Sequence, residues 1–149
     1  MENFDNEMRL TFQAKSCNEA LARMTVAAFL TPLNPTLEEL ADTKTAVSEA
    51  VTNAIIHGYG EEGGTVELWC ARKEKEVCFH VKDTGYGIAD IKTAMEPMYT
   101  TKPEMERSGM GFAFMEAFMD DLEVFSEVGQ GTVVKMQKKI GAGSWIEAC

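Results

Sequence analysis

The stretch TVELWCARKEKEVCFHVKD, residues 65–83, has the pattern of two strands joined by a short charged turn. Apolar residues alternate with polar ones and would share one face of each strand: Val66, Leu68 and Cys70 in the first, Val77, Phe79 and Val81 in the second. We predict strands over Thr65–Ala71 and Val77–Asp83, with Arg72–Glu76 as the turn. Because a hairpin joins antiparallel neighbours, this stretch argues against a doubly wound parallel sheet.

Two helices are predicted before this hairpin, each opened by a capping-box pattern. The first box is Ser16–Glu19, and its helix ends before Pro32. The second box is Thr36–Glu39, and its longer helix is predicted to run through about Ile56 and to stop at Gly58. The apolar stripe of the first helix is predicted to consist of Leu21, Met24 and Ala28.

The remaining elements complete a chain of grouped helices and hairpins. We predict a strand over residues 7–14, a short helix around Ile88–Met95, a loop over 98–108, a helix over Gly109–Met119, and a closing hairpin of Leu122–Glu127 and Thr132–Lys138. The order β-α-α-β-β-α-loop-α-β-β favours an α+β two-layer sandwich, with helices on one face of a mixed sheet. We expect one domain over residues 1–149.

Composition and charge restrict the classes of partner. The 149 residues carry 14 Lys and Arg against 24 Asp and Glu, a net charge of −10, which argues against direct binding of nucleic acid or an anionic membrane. No apolar run approaches the roughly 20 residues of a membrane span, and residues 1–6 are acidic and polar, unlike a signal peptide. We therefore expect a cytoplasmic protein.

The four cysteines, Cys17, Cys70, Cys78 and Cys149, form no CxxC pair and have no metal-binding spacing. Cys70 and Cys78 could face each other on neighbouring strands, but buried free thiols are the favoured interpretation for a cytosolic chain. The two histidines, His57 and His80, are interpreted as structural.

Three short patterns carry the chemistry. Glu49 and Asn53 are four residues apart on a predicted helix and project from one face of it. The segment DTGYG, residues 83–87, places an aspartate and two glycines where a core-like strand ends. The segment SGMG, residues 108–111, opens a helix whose backbone N–H groups can face an anion. Taken singly, each pattern also fits an ordinary polar stripe, turn or N-cap.

Taken in order, and with a late Gly131-Thr132, these patterns resemble the successive boxes of the GHKL ATPase/kinase superfamily. The resemblance spans roughly Glu49–Thr132. Three longer segments are similar to the anti-sigma-factor kinases of spore-forming bacteria: EAVTNAIIHGY (49–59), TTKPEMERSGMGF (100–112) and ARMTVAAF (22–29). The combination is far more specific than any single box.

The resemblance implies a role for each matching residue. Glu49 would be the general base, Asn53 a Mg²⁺ ligand, and Asp83 the acceptor for the adenine amino group, with Gly85 and Gly87 letting the base approach the backbone. The remaining matches would form the ATP lid, contact the phosphates or lie near the adenine: Thr100, Thr101, Lys102, Arg107 at the γ-phosphate, Ser108, Gly109, Met110, Gly111 and Thr132.

The resemblance also implies a function: a serine/threonine kinase that, with ATP or ADP bound, holds an RNA polymerase sigma factor inactive. Its phosphorylation substrate would be an anti-anti-sigma protein, and the chain would be a homodimer. Arg23, which lies off the predicted stripe of the first helix, would belong to the partner surface. Three alternatives remain open: a related stress-response kinase, a sequestering module without kinase activity, and a stand-alone ATPase.

Overall fold

The structure is a computed structural model that describes residues 3–59, 63–89, 91–95 and 111–141, without the side chain of Lys92. These residues form five strands and four α-helices: β1 (Asn6–Gln13), α1 (Asn18–Leu30), α2 (Leu37–Asn53), β2 (Thr65–Lys73), β3 (Glu76–Asp83), α3 (Ile91–Ala94), α4 (Gly111–Phe118), β4 (Asp121–Glu127) and β5 (Gly131–Lys139). The helix predicted around Ile88–Met95 is thus a single turn. The start of the helix predicted at Gly109 lies outside the described residues.

The five strands form one sheet in the order β1-β2-β3-β5-β4. Every pairing between them is antiparallel, so the α+β class is confirmed while the predicted mixed sheet is wrong in that detail. The reason is the closing hairpin: β5 lies between β3 and β4, and antiparallel to both. This placement sets the ends of β3 and β5 side by side, with Asp83 opposite Thr132.

The predicted β2–β3 hairpin is confirmed, but its turn is shorter than predicted and consists of Glu74 and Lys75. The register shows whether Cys70 and Cys78 face each other. Cys70 pairs with Phe79, whereas Cys78 pairs with Ala71, so the two thiols lie on opposite faces of the sheet. None of Cys17, Cys70 and Cys78 forms a disulfide within the described residues. Cys70 is buried, as predicted, whereas Cys78 is only half-buried and Cys17 is exposed. Burial raises the pKa of the Cys70 thiol to about 12, which leaves almost no reactive thiolate at neutral pH.

The helices α1 and α2 pack against each other over one face of the sheet, and α4 packs on α2. The core between the layers contains Leu68, Phe79 and Met136 from the sheet and Val26 and Val51 from the helices. The predicted capping box of α2 is confirmed. The Glu39 N–H donates to Thr36 Oγ1 at 3.0 Å, and the Thr36 N–H donates to the Glu39 carboxylate at 2.8 Å.

The other predicted capping box is wrong. The N-cap of α1 is Cys17, which makes no side-chain capping bond, and Ser16 contributes only its carbonyl to the Glu19 N–H. The Glu19 carboxylate instead accepts from Ser48 Oγ at 2.7 Å and from Thr52 Oγ1 at 3.0 Å. Glu19 therefore joins α1 to the last two turns of α2, because tertiary donors are available there that the local sequence does not contain.

The predicted apolar stripe of α1 is also wrong. Leu21 is 45% exposed and Met24 69% exposed, and Ala28 is exposed too. The buried residues are Ala22, Val26, Phe29 and Leu30. Apolar residues occupy two sides of this helix, so its own periodicity cannot specify which side packs on α2 and the sheet. The predicted stripe faces solvent.

The opposite face of the sheet is not covered by any helix of the described residues. Aromatic side chains lie across it. Trp69 packs edge-on against Phe4, with ring centroids 5.4 Å apart, and at a tilt against His80, with ring centroids 4.4 Å apart. Lys135 Nζ lies 4.9 Å from the centroid of the Phe125 ring. Burial, and then the charges of Lys135 and Arg9, lower the pKa of His80. The histidine therefore stays neutral at physiological pH.

The helix predicted to run through Ile56 is α-helical only as far as Asn53. From Ala54 to Tyr59 the chain forms a π-helical turn, and Gly58 lies inside it. π-helical turns are rare in proteins overall, but those that occur are often found at functional sites. None of the helices among the described residues is long and apolar enough to cross a membrane.

Candidate functional site

The last turns of α2 carry Glu49 and Asn53, whose half-buried side chains face the start of α4. A methyl group built on Gly111 would lie 3.2 Å from Asn53 Nδ2 and 3.3 Å from Glu49 Oε2. The glycine therefore leaves a space beside a carboxylate and an amide, bordered by the N-terminus of a helix. Carboxylate and amide oxygens suit a hard cation, and a helix N-terminus suits an anion.

Asp83 ends β3 with a side chain that is only 5% exposed. Its carboxylate accepts the Gly85 N–H at 2.9 Å and the backbone N–H of Thr132. Burial nevertheless raises the pKa of Asp83, because the loss of hydration outweighs these two hydrogen bonds. The site thus holds a buried carboxylate that lacks a cation among the described residues, and such a group can accept from a bound polar ligand.

Glycines let the backbone come close to Asp83 on two sides. A methyl group on Gly58 would lie 2.9 Å from Asp83 Cγ, and one on Gly85 would overlap the Gly58 carbonyl oxygen. The same carbonyl accepts the Tyr86 N–H at 2.7 Å. On the other side, Gly131 has φ +104, and a methyl group there would overlap the Asp83 carbonyl. The π-helical turn and the loop after β3 are therefore held together backbone to backbone.

Gly87 makes a close backbone contact of its own, away from Asp83. Its φ is +79, and a methyl group there would overlap the Glu127 carbonyl oxygen rather than approach Asp83. The neighbouring Tyr86 carbonyl accepts the Gly129 N–H at 2.8 Å. Gly87 thus packs the loop after β3 onto the β4–β5 hairpin, and its glycine is required by a left-handed turn and a close backbone contact.

Two side chains at the site were not singled out in the sequence. Tyr59 accepts the Thr84 N–H at 2.7 Å and donates to the Thr65 carbonyl at 2.6 Å, which braces the residue next to Asp83. Ser126 lies 2.8 Å from Thr132 Oγ1 and accepts the Ile88 N–H at 2.6 Å. The sequence could have indicated Ser126, because it is a polar residue at a position of β4 where the alternation that begins with Leu122 and Val124 predicts an apolar one. Tyr59 carries none.

The structure thus brings together the described members of the predicted site in two adjoining groups. Glu49, Asn53 and Gly111 form one, and Asp83, Gly85 and Thr132 form the other. The π-helical turn after Asn53 connects them, because Gly58 reaches Asp83. Seven predicted residues lie outside the described residues: Thr100, Thr101, Lys102, Arg107, Ser108, Gly109 and Met110.

Arg23 is not part of either group, since it lies on α1, where it is half-buried. No cluster of three or more His, Cys, Asp or Glu that could hold a metal occurs in the part of the chain that the structure describes. A cation at this site would therefore need ligands from the bound molecule in addition to Asn53.

The sequence matches a family model described as the histidine kinase-like ATPase domain over residues 12–138. It is 56% identical over 135 residues to the anti-sigma F factor of Clostridium acetobutylicum, covering 91% of this chain and 94% of that protein. It is 57% identical over 137 residues to the anti-sigma F factor of Clostridium perfringens strain SM101, covering 91% and 98%.

The fold is similar to a crystal structure of the RsbU and RsbW domains of a Mycobacterium tuberculosis protein. The TM-score is 0.65, and the match covers 91% of this chain but 32% of that longer one. Because the sequence identity is 19%, this likeness concerns the fold alone.

Proposed function

Because the chain belongs to the histidine kinase-like ATPase family, and within it to the anti-sigma F factors, we propose that it is a nucleotide-dependent anti-sigma factor and a protein serine/threonine kinase. Its sigma-factor partner would be the sporulation factor sigma F, and its phosphorylation substrate a serine of the anti-anti-sigma protein. Both activities would take place in the cytoplasm.

One observation carries the proposal: the C-terminal end of α2, with the π-helical turn that follows it, contributes residues to both groups of the site. Glu49 and Asn53 face Gly111 at the start of α4, and five residues beyond Asn53, Gly58 packs against the Asp83 carboxylate. An ATP molecule with its adenine amino group on Asp83 would direct its phosphates toward Asn53 and the N-terminus of α4. Backbone N–H groups there favour phosphate in a chain whose net charge is −10.

Mg²⁺ fits the residues present. The Asn53 amide and the Glu49 carboxylate both border the space that a Gly111 side chain would fill, and hard cations prefer such oxygen ligands. Asn53 would hold the ion together with the phosphates. When bound, Mg²⁺ would neutralise charge on the triphosphate.

In the proposed transfer, the hydroxyl oxygen of the acceptor serine bonds to the γ-phosphorus, and the bond to the β,γ-bridging oxygen breaks as ADP leaves. Glu49 takes the proton of the serine hydroxyl. The resemblance assigns Arg107 to stabilise the charge of the phosphoryl group, and Thr100–Ser108 to close over the nucleotide.

Incubation with γ-labelled ATP and the anti-anti-sigma protein tests this function. Label on a serine of the antagonist is the expected result. Free labelled phosphate without labelled antagonist would favour a stand-alone ATPase, and neither product would favour a sequestering module. Repeating the reaction with antagonists of stress-response systems would separate a sporulation kinase from a stress-response one.

The partner surface is proposed to lie on α1, where Leu21 and Met24 expose apolar area beside the half-buried Arg23. A guanidinium on an acidic protein offers a forked donor to partner carboxylates. Homodimerisation, which the family resemblance implies, would use the uncovered sheet face around Trp69 and Phe125.

Arg23→Glu is expected to weaken binding of both sigma factor and antagonist by about tenfold or more, since it replaces a charge-assisted contact by a repulsive one. ATP affinity should not change. Lys139→Glu, the same charge change at the exposed end of β5, is the matched control and should leave both complexes intact. Calorimetric titration of each partner would detect the difference, and a selective loss of ATP binding by Arg23→Glu would contradict the assignment.

Gly85→Ala is expected to lower ATP affinity and to destabilise the fold by about 1–3 kcal/mol, because its methyl group would overlap the Gly58 carbonyl and force two backbone segments apart. Gly63→Ala is the control. Gly63 has φ +74 but meets nothing within 4 Å, so that variant loses stability through its backbone alone and should keep its ATP affinity. Thermal melts and ATP titrations of both variants check this, and equal ATP affinities would refute it.

A further inference from the structure

The last two turns of α2 are held from the side by a carboxylate of α1. The Glu19 carboxylate accepts the Ser48 hydroxyl on one oxygen at 2.7 Å and the Thr52 hydroxyl on the other at 3.0 Å. Ser48 is only 3% exposed, so this contact lies between the two packed helices. Because the two hydroxyls are one helical turn apart, the carboxylate spans a turn of α2 and restrains both its rotation and its axial position.

The hydroxyls of Ser48 and Thr52 differ in their bonding from those of Thr25 and Thr43. Thr25 and Thr43 each donate to the carbonyl four residues earlier, at 2.8 Å and 2.7 Å, which is the usual local bond of a hydroxyl inside a helix. A hydroxyl has a single proton to donate. In Ser48 and Thr52 that proton connects α2 to α1 instead of returning to the backbone of its own helix.

Each of these two hydroxyl residues directly precedes a residue of the candidate site, Glu49 after Ser48 and Asn53 after Thr52. A helix turns by about 100° per residue, so the anchored row of side chains lies beside the row that faces Gly111. Any rotation of the helix end moves both rows together. At about 6 Å from the helix axis, a rotation of about 10° displaces the tip of a side chain by about 1 Å.

The α-helical hydrogen bonding changes directly after this anchored segment. The Ala54 N–H is shared between the Ala50 and Val51 carbonyls, and the chain continues as a π-helical turn over Ala54–Tyr59. A continuous α-helical ladder therefore orients Asn53 from its N-terminal side only. The side-chain anchor on the preceding turn supplies a restraint that the backbone lacks at this point.

We propose that Glu19 is a positioning residue for phosphotransfer, which fixes the rotation of the α2 end so that Glu49 meets the acceptor hydroxyl and Asn53 meets Mg²⁺. This inference rests on the proposed function, since it requires Glu49 and Asn53 to act as assigned there. Glu19 acts through Ser48 and Thr52 and not on the reacting atoms.

Glu19→Ala in the full-length chain is expected to lower the kcat of phosphotransfer about 10- to 100-fold at saturating antagonist, because a misplacement of about 1 Å can cost that much. The KM for ATP should change by less than about threefold, since the adenine contact at Asp83 is untouched. The Mg²⁺ concentration that gives half the maximal rate should rise several-fold, because Asn53 moves together with Glu49.

A second variant tests the route from the α2 side. Ser48→Ala combined with Thr52→Val removes both hydroxyls, keeps nearly the same side-chain shapes and leaves α1 intact. The same split between kcat and KM is expected, and adding Glu19→Ala should lower kcat by less than about twofold more, because the three residues act as one unit. Where Glu19→Ala fails to fold in a thermal melt, this hydroxyl-free variant carries the test.

Two further variants serve as a rescue and a control. Thr52→Ser keeps the hydroxyl and should keep the wild-type kcat and Mg²⁺ dependence. Glu38→Ala removes an exposed carboxylate from the first turn of α2, far from the anchored turns, and is the matched control for the loss of a charge. It should change neither kcat nor KM.

A loss of kcat in Glu19→Ala but not in the hydroxyl-free variant would overturn the inference, because Glu19 would then act on the partner directly from α1. A parallel loss of ATP affinity and melting temperature would also overturn it, since a merely structural role acts on both. Normal transfer by Glu19→Ala beside impaired transfer by Glu49→Gln would refute this inference alone. Normal transfer by Glu49→Gln would overturn the proposed general base together with it.

Discussion

Glu49→Gln is expected to lower phosphotransfer to the anti-anti-sigma protein by a factor of about 10²–10⁴, the usual contribution of a positioned general base. Glutamine keeps the length of the side chain and a hydrogen-bonding head, but it lacks the basic oxygen that takes the serine proton in the proposed mechanism. ATP affinity should change little, because Asp83, Asn53 and the start of α4 are untouched.

Sigma binding should survive in this variant within a few-fold, since in the proposed function it requires a bound nucleotide but no proton transfer. The variant would then still inhibit sigma factor when no antagonist is present, and the antagonist would displace the sigma factor persistently because the antagonist is never phosphorylated. Glu39→Gln is not a usable control, since Glu39 caps α2. Glu116→Gln, an exposed change on α4, is suitable.

Phosphotransfer and sigma affinity should be measured side by side for Glu49→Gln and Glu116→Gln. A near wild-type transfer rate for Glu49→Gln would mean that Glu49 is not the base. A mechanism that relies on charge stabilisation by Mg²⁺ and Arg107 would then be the better account. Loss of sigma binding together with transfer would instead place Glu49 in the structure of the nucleotide-bound state.

Asp83→Asn is expected to weaken ATP binding about 10- to 150-fold, because a hydrogen bond to a charged buried group contributes roughly 1.5–3 kcal/mol. Asparagine has nearly the same shape, so the packing against Gly58 and Gly85 is retained. Its amide can no longer offer acceptor oxygens to both the adenine amino group and the backbone N–H of Gly85. The loss should therefore appear in affinity and not in folding.

The stability of nucleotide-free Asp83→Asn, unlike its ATP affinity, should not fall below that of the wild-type protein at pH 7. Burial raises the pKa of Asp83 above its ordinary value of 3.8, so the folded state holds this proton more tightly than the unfolded chain does. The contribution of Asp83 to stability is thus present at acidic pH and is lost as the pH rises from about 4 through the raised pKa. A neutral asparagine lacks this loss, so Asp83→Asn should melt no lower than wild type at pH 7.

ATP titration and thermal melts of the nucleotide-free protein at several pH values check both parts. Asp121→Asn, at an exposed carboxylate that starts β4, is the matched control for the change of charge. Unchanged ATP affinity in folded Asp83→Asn would remove this carboxylate from the adenine site. A lower melting temperature at pH 7 would show that the hydrogen bonds from Gly85 and Thr132 outweigh the cost of burial.

Features that depend on near neighbours in the chain could be predicted from the sequence. The β2–β3 hairpin follows from strict alternation, and the cap at Thr36 from a glutamate three residues later. The spacing of Glu49 and Asn53, and the aspartate followed by two glycines, indicated both groups of the candidate site. Each of these signals lies within a few residues, where helix and strand geometry fixes the relation between side chains.

The remaining features depended on contacts between residues distant in the chain. Glu19 has the pattern of a local cap, yet it bonds to Ser48 and Thr52, because those hydroxyls are available once α1 packs on α2. The buried side of α1 is likewise chosen by its neighbours, since apolar residues occur on two sides of the helix. Ser126 reaches Thr132 and Ile88 only because β5 lies between β3 and β4. Periodicity restricts which faces of an element can be buried, but the partner of a polar or apolar side chain is set by whichever element lies opposite it in the folded sheet.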